Sequence, residues 1–415
     1  TRHTPIATPR HTPCSLFTLC TNSRGDTVMN AAGNAPGSLA SLRSSNEQRV
    51  LASLIDTDGL SQAEVARATG LSTASISSIV RRLATEGRVE VIEHTGRSNL
   101  VRIAGAVGVC VAVNFSHQHI QVIIGGLSGS ALFERKVGHL VDADGAGSLK
   151  LAESMIADAF GELGIERSAA IGGVVGIPGP VDIDHGMVGH ESIMPGWAQL
   201  QPAQWLSELL DCPTILENDA NLAAIGEFST GSGRGHRNGM YVKLATGIGA
   251  GFIFGGELYR GEWGMAGELG HISIDPAGPL CRCGNRGCLQ TIAGSRVLLD
   301  QIAASHGEEA TLDDLVTGAL RGEAAYRRAI EDAGTAIGSA LAIVCNLVNP
   351  GAIVLGGQLV TAGEILLTPL ETALRRRVMP RSARELVVAP AGHGADSAAR
   401  GALRLAREQF GTLTT

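Results

Sequence analysis

The chain has 415 residues, 44% hydrophobic and 18% charged, with 55 glycines and a formal net charge of −7. That length implies two or three domains with a sizeable core, and the glycine content suits an α/β protein with many tight turns. The negative balance excludes a general nucleic-acid coat or an anionic-membrane anchor, so any DNA contact must be local.

Residues 1–43 carry Thr, Pro, Ser, Gly and Asn with little apolar patterning, and the expectation is a disordered extension. The Leu16–Cys20 patch is too short for a signal-peptide core, and Met29 is an alternative start. From Ser44 the pattern becomes helical, with Val50, Leu51, Leu54 and Ile55 on one face and Asp58-Gly59 as its end. Ser61 with Glu64 three residues on reads as a capping box opening a second helix, which Gly70 ends in the αL position. Ser72 caps a third helix whose buried stripe is Ile76, Ile79, Val80 and Leu83. Two strand-like pieces follow, Val89–Glu93 and Leu100–Ile103.

Helix, helix, Gly-Leu-Ser turn, helix and hairpin is the order of a winged helix-turn-helix over residues 44–104. In that arrangement the third helix enters the major groove. Ser72, Thr73, Ser75, Ser77 and Ser78 allow close approach, and Arg81 and Arg82 reach bases or phosphates. Arg97, at the hairpin tip, is placed to reach a phosphate or the minor groove. The competing reading is a small helical bundle for protein contacts, because the acidic and basic residues of this segment balance. Its arginines, however, gather on the third helix and the wing.

Residues 105–415 read as a large α/β domain. Val107–Val113, Ile120–Ile124 and Ser130–Val137 are strand-like, followed by a helix through Leu149–Leu163 and a strand at Ile171–Gly176. A second series starts at Met240–Leu244 and Gly251–Phe254, and ends in a buried helix, Thr335–Leu347, and a strand, Ala352–Leu355. Periodicity alone supports only a large α/β domain, but two βββαβα-like halves facing a cleft, as in the two-lobed actin-like (ribonuclease H-like) sugar-kinase architecture, would account for this order. The apolar run Ala336–Leu355 is interrupted by Asn346, Asn349 and Pro350 and is not expected to span a membrane.

Of eight cysteines, those at 14, 20, 110, 212 and 345 are scattered, which reads as a reducing, cytoplasmic setting rather than a disulfide framework. Cys281, Cys283 and Cys288 are clustered, with His271 ten residues upstream of the first. Three Cys and one His fill a tetrahedral zinc shell with no open position, the pattern of a structural site. Glycines at 284 and 287 permit the tight turns this needs. Reduced core cysteines are the bland alternative, but a glycine-rich turn is poor core material.

These motifs occur in an order that resembles the ROK family (repressors, open reading frames, kinases) over residues 44–415, with the winged helix resembling its xylose-repressor-type branch. Glu268-x-Gly270-His271 and Cys281-x-Cys283-Gly284-x-x-Gly287-Cys288 match the family's zinc signature. Glu217-Asn218-Asp219-Ala220-Asn221 matches the segment that holds the sugar and supplies the catalytic aspartate. Thr246–Gly251 resembles its second phosphate loop, and Ile353–Gly357 the turn near the adenosine. The resemblance implies sugar contacts from Asn218, Asp219, Glu268, His271 and Gln290, and a base role for Asp219. A carboxylate beside a sugar hydroxyl can accept its proton during phosphoryl transfer. A helix N-cap is the plainer role for Asn218-Asp219.

The departures point away from a kinase. ROK kinases carry Asp-x-Gly-Gly-Thr-Lys between their first two strands; here the turn reads Asn114-Phe115-Ser116-His117-Gln118-His119. Side chains stand where a phosphate cradle needs bare N–H groups, and Gln290 replaces a usual glutamate. The expectation is a sugar-responsive repressor with structural zinc and no ATP. It acts on a double-stranded DNA operator as a homodimer or homotetramer, cytoplasmic and nucleoid-associated when bound to DNA. A hexose or N-acetylhexosamine kinase with a fused DNA-binding domain is the alternative. A regulator that senses a protein partner, its sugar pocket being vestigial, is a third.

Overall fold

The computed structural model describes residues 39–411 except 56, 58, 93–98, 105–107, 129–130, 183–185, 189–193 and 307–309. The expected disorder of residues 1–38 and the wing tip with Arg97 therefore lie outside the described residues. Residues 1–45 and 46–415 form separate compact units. Helix α1 (Leu39–Leu54) begins at Leu39, so residues 39–43 are helical rather than part of an extension.

After β1 (Leu60–Ser61), helix α2 (Gln62–Thr69) opens with the capping box: Ser61 and Glu64 bond each other's backbone N–H, and Gly70 ends the helix at φ 68°. Ser72 caps α3 (Thr73–Thr85) by accepting from the Ser75 N–H. Satisfying these otherwise orphaned donors contributes about 1 kcal/mol per cap. Strands β2 (Val89–Ile92) and β3 (Leu100–Ile103) pair antiparallel, and β1 adds to β3, a strand that the sequence pattern did not reveal. Val50, Leu54, Ile76, Val80 and Leu83 are buried here, in an apolar cluster that runs on into Ala112, Ile123, Leu403 and Phe410. Ile79 is only half-buried.

The rest is built twice to one plan. Strands β4 (Val109–Ser116), β5 (His119–Gly126) and β6 (Phe133–Gly138) form an antiparallel meander. Helix α4 (Gly145–Leu163) leads to β7 (Ala170–Ile177), parallel to β4. The small hairpin β8 (Val181–Asp182) and β9 (Met187–Val188) follows. Next come α5 (Pro202–Leu210), β10 (Thr214–Asn218), parallel to β7, and α6 (Asp219–Ser229). The sheet order is β10-β7-β4-β5-β6.

Strands β11 (Gly239–Leu244), β12 (Ile248–Phe254) and β13 (Glu257–Tyr259) repeat the meander. Four helices come next: α7 (Gln290–Ala293), α8 (Ser295–His306), α9 (Leu312–Leu320) and α10 (Ala324–Val348). Strand β14 (Ala352–Gly356) pairs parallel with β11. Helices α11 (Glu364–Arg375) and α12 (Pro380–Glu385) precede β15 (Val387–Pro390), and α13 (Ser397–Phe410) closes the described chain. The order β13-β12-β11-β14-β15 is that of the first sheet. Parallel strand pairs need crossover connections, and these place helices on the sheet faces.

The helices are exchanged between halves. α13 packs on β4, β5 and β7 of the first sheet, whereas α6 packs on β11 and β12 of the second, and the two helices lie against each other. The cleft between the sheets therefore has α6 in its floor. Helix α10 meets the length and apolarity of a membrane span, but 56% of its most apolar window is buried inside the protein, against the core of the second half.

Candidate metal centre and ligand cleft

His271 ends a 3-10 turn, Leu269–His271, just after Gly267, and the three cysteines follow in a loop tied by isolated bridges Ser273–Cys288 and Leu280–Arg286. Gly287 has φ 59°, and a Cβ there would overlap the Asp275 carbonyl, so no other residue fits this crossing. The Cys281 N–H donates to the Asn285 carbonyl at 2.7 Å, closing the loop. One donor atom each from His271, Cys281, Cys283 and Cys288 lies within 4.8 Å of all the others. Cys281 Sγ is 3.5 Å from His271 Nδ1, and Cys283 Sγ is 3.7 Å from Cys288 Sγ, too far for a disulfide. The four residues expected to be ligands are thus brought together, and they can hold a metal ion. Burial pushes the Cys288 thiol up to about 12, whereas a backbone hydrogen bond at Asn285 pulls Cys283 down. A cation at the centre would reverse the first effect, because a coordinating thiol is deprotonated outright.

His271 turns its other ring nitrogen, Nε2, toward Glu268, 3.9 Å away. That links the centre to a small cavity of about 80 Å³ lined by Asn218, Asp219, Lys243, Glu268, His271 and Gln290, all but Lys243 expected there. Several are already engaged. Asn218 caps α6, its Oδ1 accepting from Ala220 and Asn221 N–H at 2.9 and 3.2 Å, while its Nδ2 donates to the Gly179 carbonyl at 2.8 Å. Gln290 Oε1 accepts from the Ile248 N–H at 2.9 Å and so props β12. The N-cap reading of Asn218 therefore holds.

Asp219, only 5% exposed, is the first residue of α6. Its carboxylate is ion-paired with Lys243 of β11, a residue that the sequence reading did not single out. Beneath it, Glu217 is 2% exposed and accepts from the Asn218 N–H, from Asn221 Nδ2 at 2.9 Å and from Arg260 at 2.6 Å. These partners are 24 and 43 positions away in sequence, on elements that no periodicity relates.

The turn that differs from the kinase pattern is the β4–β5 hairpin, with Ser116 opposite His119 and His117-Gln118 between them. His117 Nδ1 lies 2.7 Å from the Asp142 carboxylate, which ties the turn down. Thr246–Gly251 is mostly strand β12 rather than a loop; only 245–247 turn. Its Gly251 is needed for packing, since a Cβ there would lie 2.6 Å from the Ala220 carbonyl of α6.

On the N-terminal segment, Ser72, Thr73, Ser75, Ser78, Arg81 and Arg82 of α3 are exposed, and Ser77 is half-buried. Arg82 is ion-paired with Glu47 and lies 3.8 Å from Glu86, so part of its charge is spent within the protein.

The ROK family profile matches residues 110–409. The chain belongs to the ROK family. Residues 43–104 match a domain of unknown function, DUF7343. The xylose repressor of Bacillus spizizenii is 26% identical over 374 residues, covering 88% of this chain and 95% of that protein. A glucokinase of Halalkalibacterium halodurans is 31% identical over 292 residues, 64% of this chain and 87% of its own. Among solved structures, a ROK family transcriptional regulator described as a homologue of the E. coli MLC protein superposes with a TM-score of 0.75 at 25% identity, over 90% of this chain and 98% of that one. The glucokinase match covers less of this ROK protein than the two regulators do.

Proposed function

We propose that this ROK protein is a sugar-responsive transcriptional repressor whose residues 44–104 act as a winged helix-turn-helix and whose residues 105–415 bind a carbohydrate between two lobes. The observation that carries the reading is α3, a helix capped by Ser72 that buries Ile76, Val80 and Leu83 and leaves its hydroxyls and Arg81 exposed. Such a face suits a major groove. Similarity to a xylose repressor along nearly the whole chain supports it. Residues Ser72, Thr73, Ser75, Ser77, Ser78, Arg81, Arg82 and Arg97 would contact the operator, and a homodimer or homotetramer would read two half-sites.

The sugar would lie among Asp219, Glu268, His271 and the free edges of Asn218 and Gln290. The cavity of about 80 Å³ is below the roughly 300 Å³ of common ligand sites, so entry requires the lobes to open. A ligand that prefers one lobe spacing then changes DNA affinity, and DNA changes ligand affinity reciprocally. Zinc at His271, Cys281, Cys283 and Cys288 would hold Glu268 and His271 at the cavity rim.

Kinase activity is disfavoured because Asp219 is tied to Lys243 and side chains fill the 114–119 turn. The retained Asp219 and the glucokinase similarity favour the enzymatic alternative. One experiment separates them: fluorescence anisotropy on the protein's own promoter fragment while titrating glucose, xylose, N-acetylglucosamine and their phosphates, with ATP consumption followed in the same samples. A sugar-dependent shift in DNA affinity without ATP turnover supports the repressor. Sugar-dependent ATP turnover refutes it as stated.

A further inference from the structure

The segment that joins β13 to the metal loop carries an uncovered tryptophan. Trp263 is 77% exposed and Met265 52%, with Tyr259 half exposed just before them, although tryptophan is highly buried on average. The base of the segment is fixed. The Tyr259 ring lies 5.3 Å from that of Phe254, and Arg260 donates to the buried Glu217 at 2.6 Å. The Ala266 N–H returns to the Arg260 carbonyl at 3.0 Å. Gly267 lies so close to β12 that a Cβ would overlap the Ala250 carbonyl. The tip is built differently. Gly261 and Gly264, both at φ 74°, bracket Glu262 and Trp263, a backbone region that favours glycine. Small residues at the ends of a short segment are suited to absorb the φ/ψ change of a hinge.

Both ends of this strap belong to the small cavity. Glu217, which Arg260 holds, accepts from the N–H of Asn218, and Asn218 and Glu268 line the cavity. At no more than about 3.6 Å per residue, the chain keeps Trp263 within about 11 Å of Arg260. The cavity supplies carboxylates, amides and an imidazole for hydroxyl groups, but no Phe, Tyr or Trp is among the described residues that line it. A pyranose ring has hydroxyls around its edge and C–H groups on its faces. Small-molecule sites set a few polar groups in a mostly apolar, often aromatic wall. Here the polar groups are in place and the wall for the ring face is missing.

We propose that residues 261–265 fold over the bound sugar and that Trp263 lays its indole against the C–H face of a pyranose. This rests on the carbohydrate reading of the small cavity and adds a contact residue and a ligand class to it: a closed ring is preferred over the open-chain polyol with the same hydroxyls, which has no flat face to stack.

The test is calorimetric titration of the full chain with glucose, xylose, N-acetylglucosamine and their phosphates, with acrylamide quenching of tryptophan fluorescence on the same samples. Trp197 is fully buried and Trp205 half-buried, so the readily quenched indole is Trp263. A saturating sugar is expected to halve the quenching constant or more, and the change should be absent in Trp263→Phe. Trp263→Ala should weaken sugar binding about tenfold with the melting temperature unchanged, and Trp263→Tyr should recover most of the loss. The preference for glucose over glucitol should shrink in Trp263→Ala, an effect that a purely structural role would not produce. Sugar binding with unaltered quenching, or with full affinity in Trp263→Ala, would overturn the strap and leave the carbohydrate reading standing. Failure of every sugar to bind at tens of millimolar would overturn both.

Discussion

Replacing Lys243 with methionine keeps most of the stem and removes the cation facing Asp219. The two side chains are 16% and 6% exposed, so this is a sequestered pair. Breaking such a pair from one side costs about 3–5 kcal/mol, because the remaining charge stays buried without a partner. Two features of the site reduce that figure. Asp219 begins α6, where the helix dipole favours a negative charge by about 0.3–1 kcal/mol, and the adjoining cavity admits water. The expected loss is therefore about 2–3 kcal/mol. Adding Asp219→Asn to Lys243→Met removes the orphaned charge and should restore most of that stability. Urea unfolding, followed by the fluorescence of Trp197 and Trp205 and by circular dichroism, gives the four corners of the cycle. Equal slopes across the variants show that the midpoints report stability. A coupling energy above about 1.5 kcal/mol is expected; a value below about 0.5 kcal/mol would refute the ion pair as the determinant of this site.

Cys283→Ser should lower the bound zinc, read by atomic absorption, and loosen the 268–290 loop in hydrogen exchange; unchanged protection in metal-free protein would remove the structural-zinc proposal. Arg81→Ala should weaken operator binding by about 1–2 kcal/mol and reduce its salt slope, and equal anisotropy curves would exclude α3 as the recognition helix. Acidification should destabilise the protein between about pH 6.5 and 4, because His119 is held at about 4 when folded and unfolded chains take up its proton first. His119→Gln should flatten that part of the stability–pH curve; an unaltered slope would show that His119 does not contribute.

Signals confined to a few neighbouring residues were readable without coordinates. Ser61 with Glu64, and Ser72 before an apolar stripe, specify two helix starts because each cap bonds N–H groups three positions away. The four metal-centre residues lie within one short loop whose glycines force it to double back, so their convergence follows from local backbone geometry. Runs of apolar residues marked both halves of the α/β domain, and the resemblance to a known family supplied their arrangement.

Tertiary structure decided what the sequence order hides. Lys243 meets Asp219, Arg260 meets Glu217 and Asp142 meets His117 only because the strands and loops carrying them become neighbours in the fold. Gly251 looked like part of a phosphate loop and is a strand glycine that lets α6 approach. The expected sugar ligands Asn218 and Gln290 turned out to be bound to backbone as well. Caps, turns and periodicities act over a handful of residues and leave a mark in the chain. Pairings across sheets are set by topology, and a charged residue carries no sequence mark of the partner that the fold will bring to it.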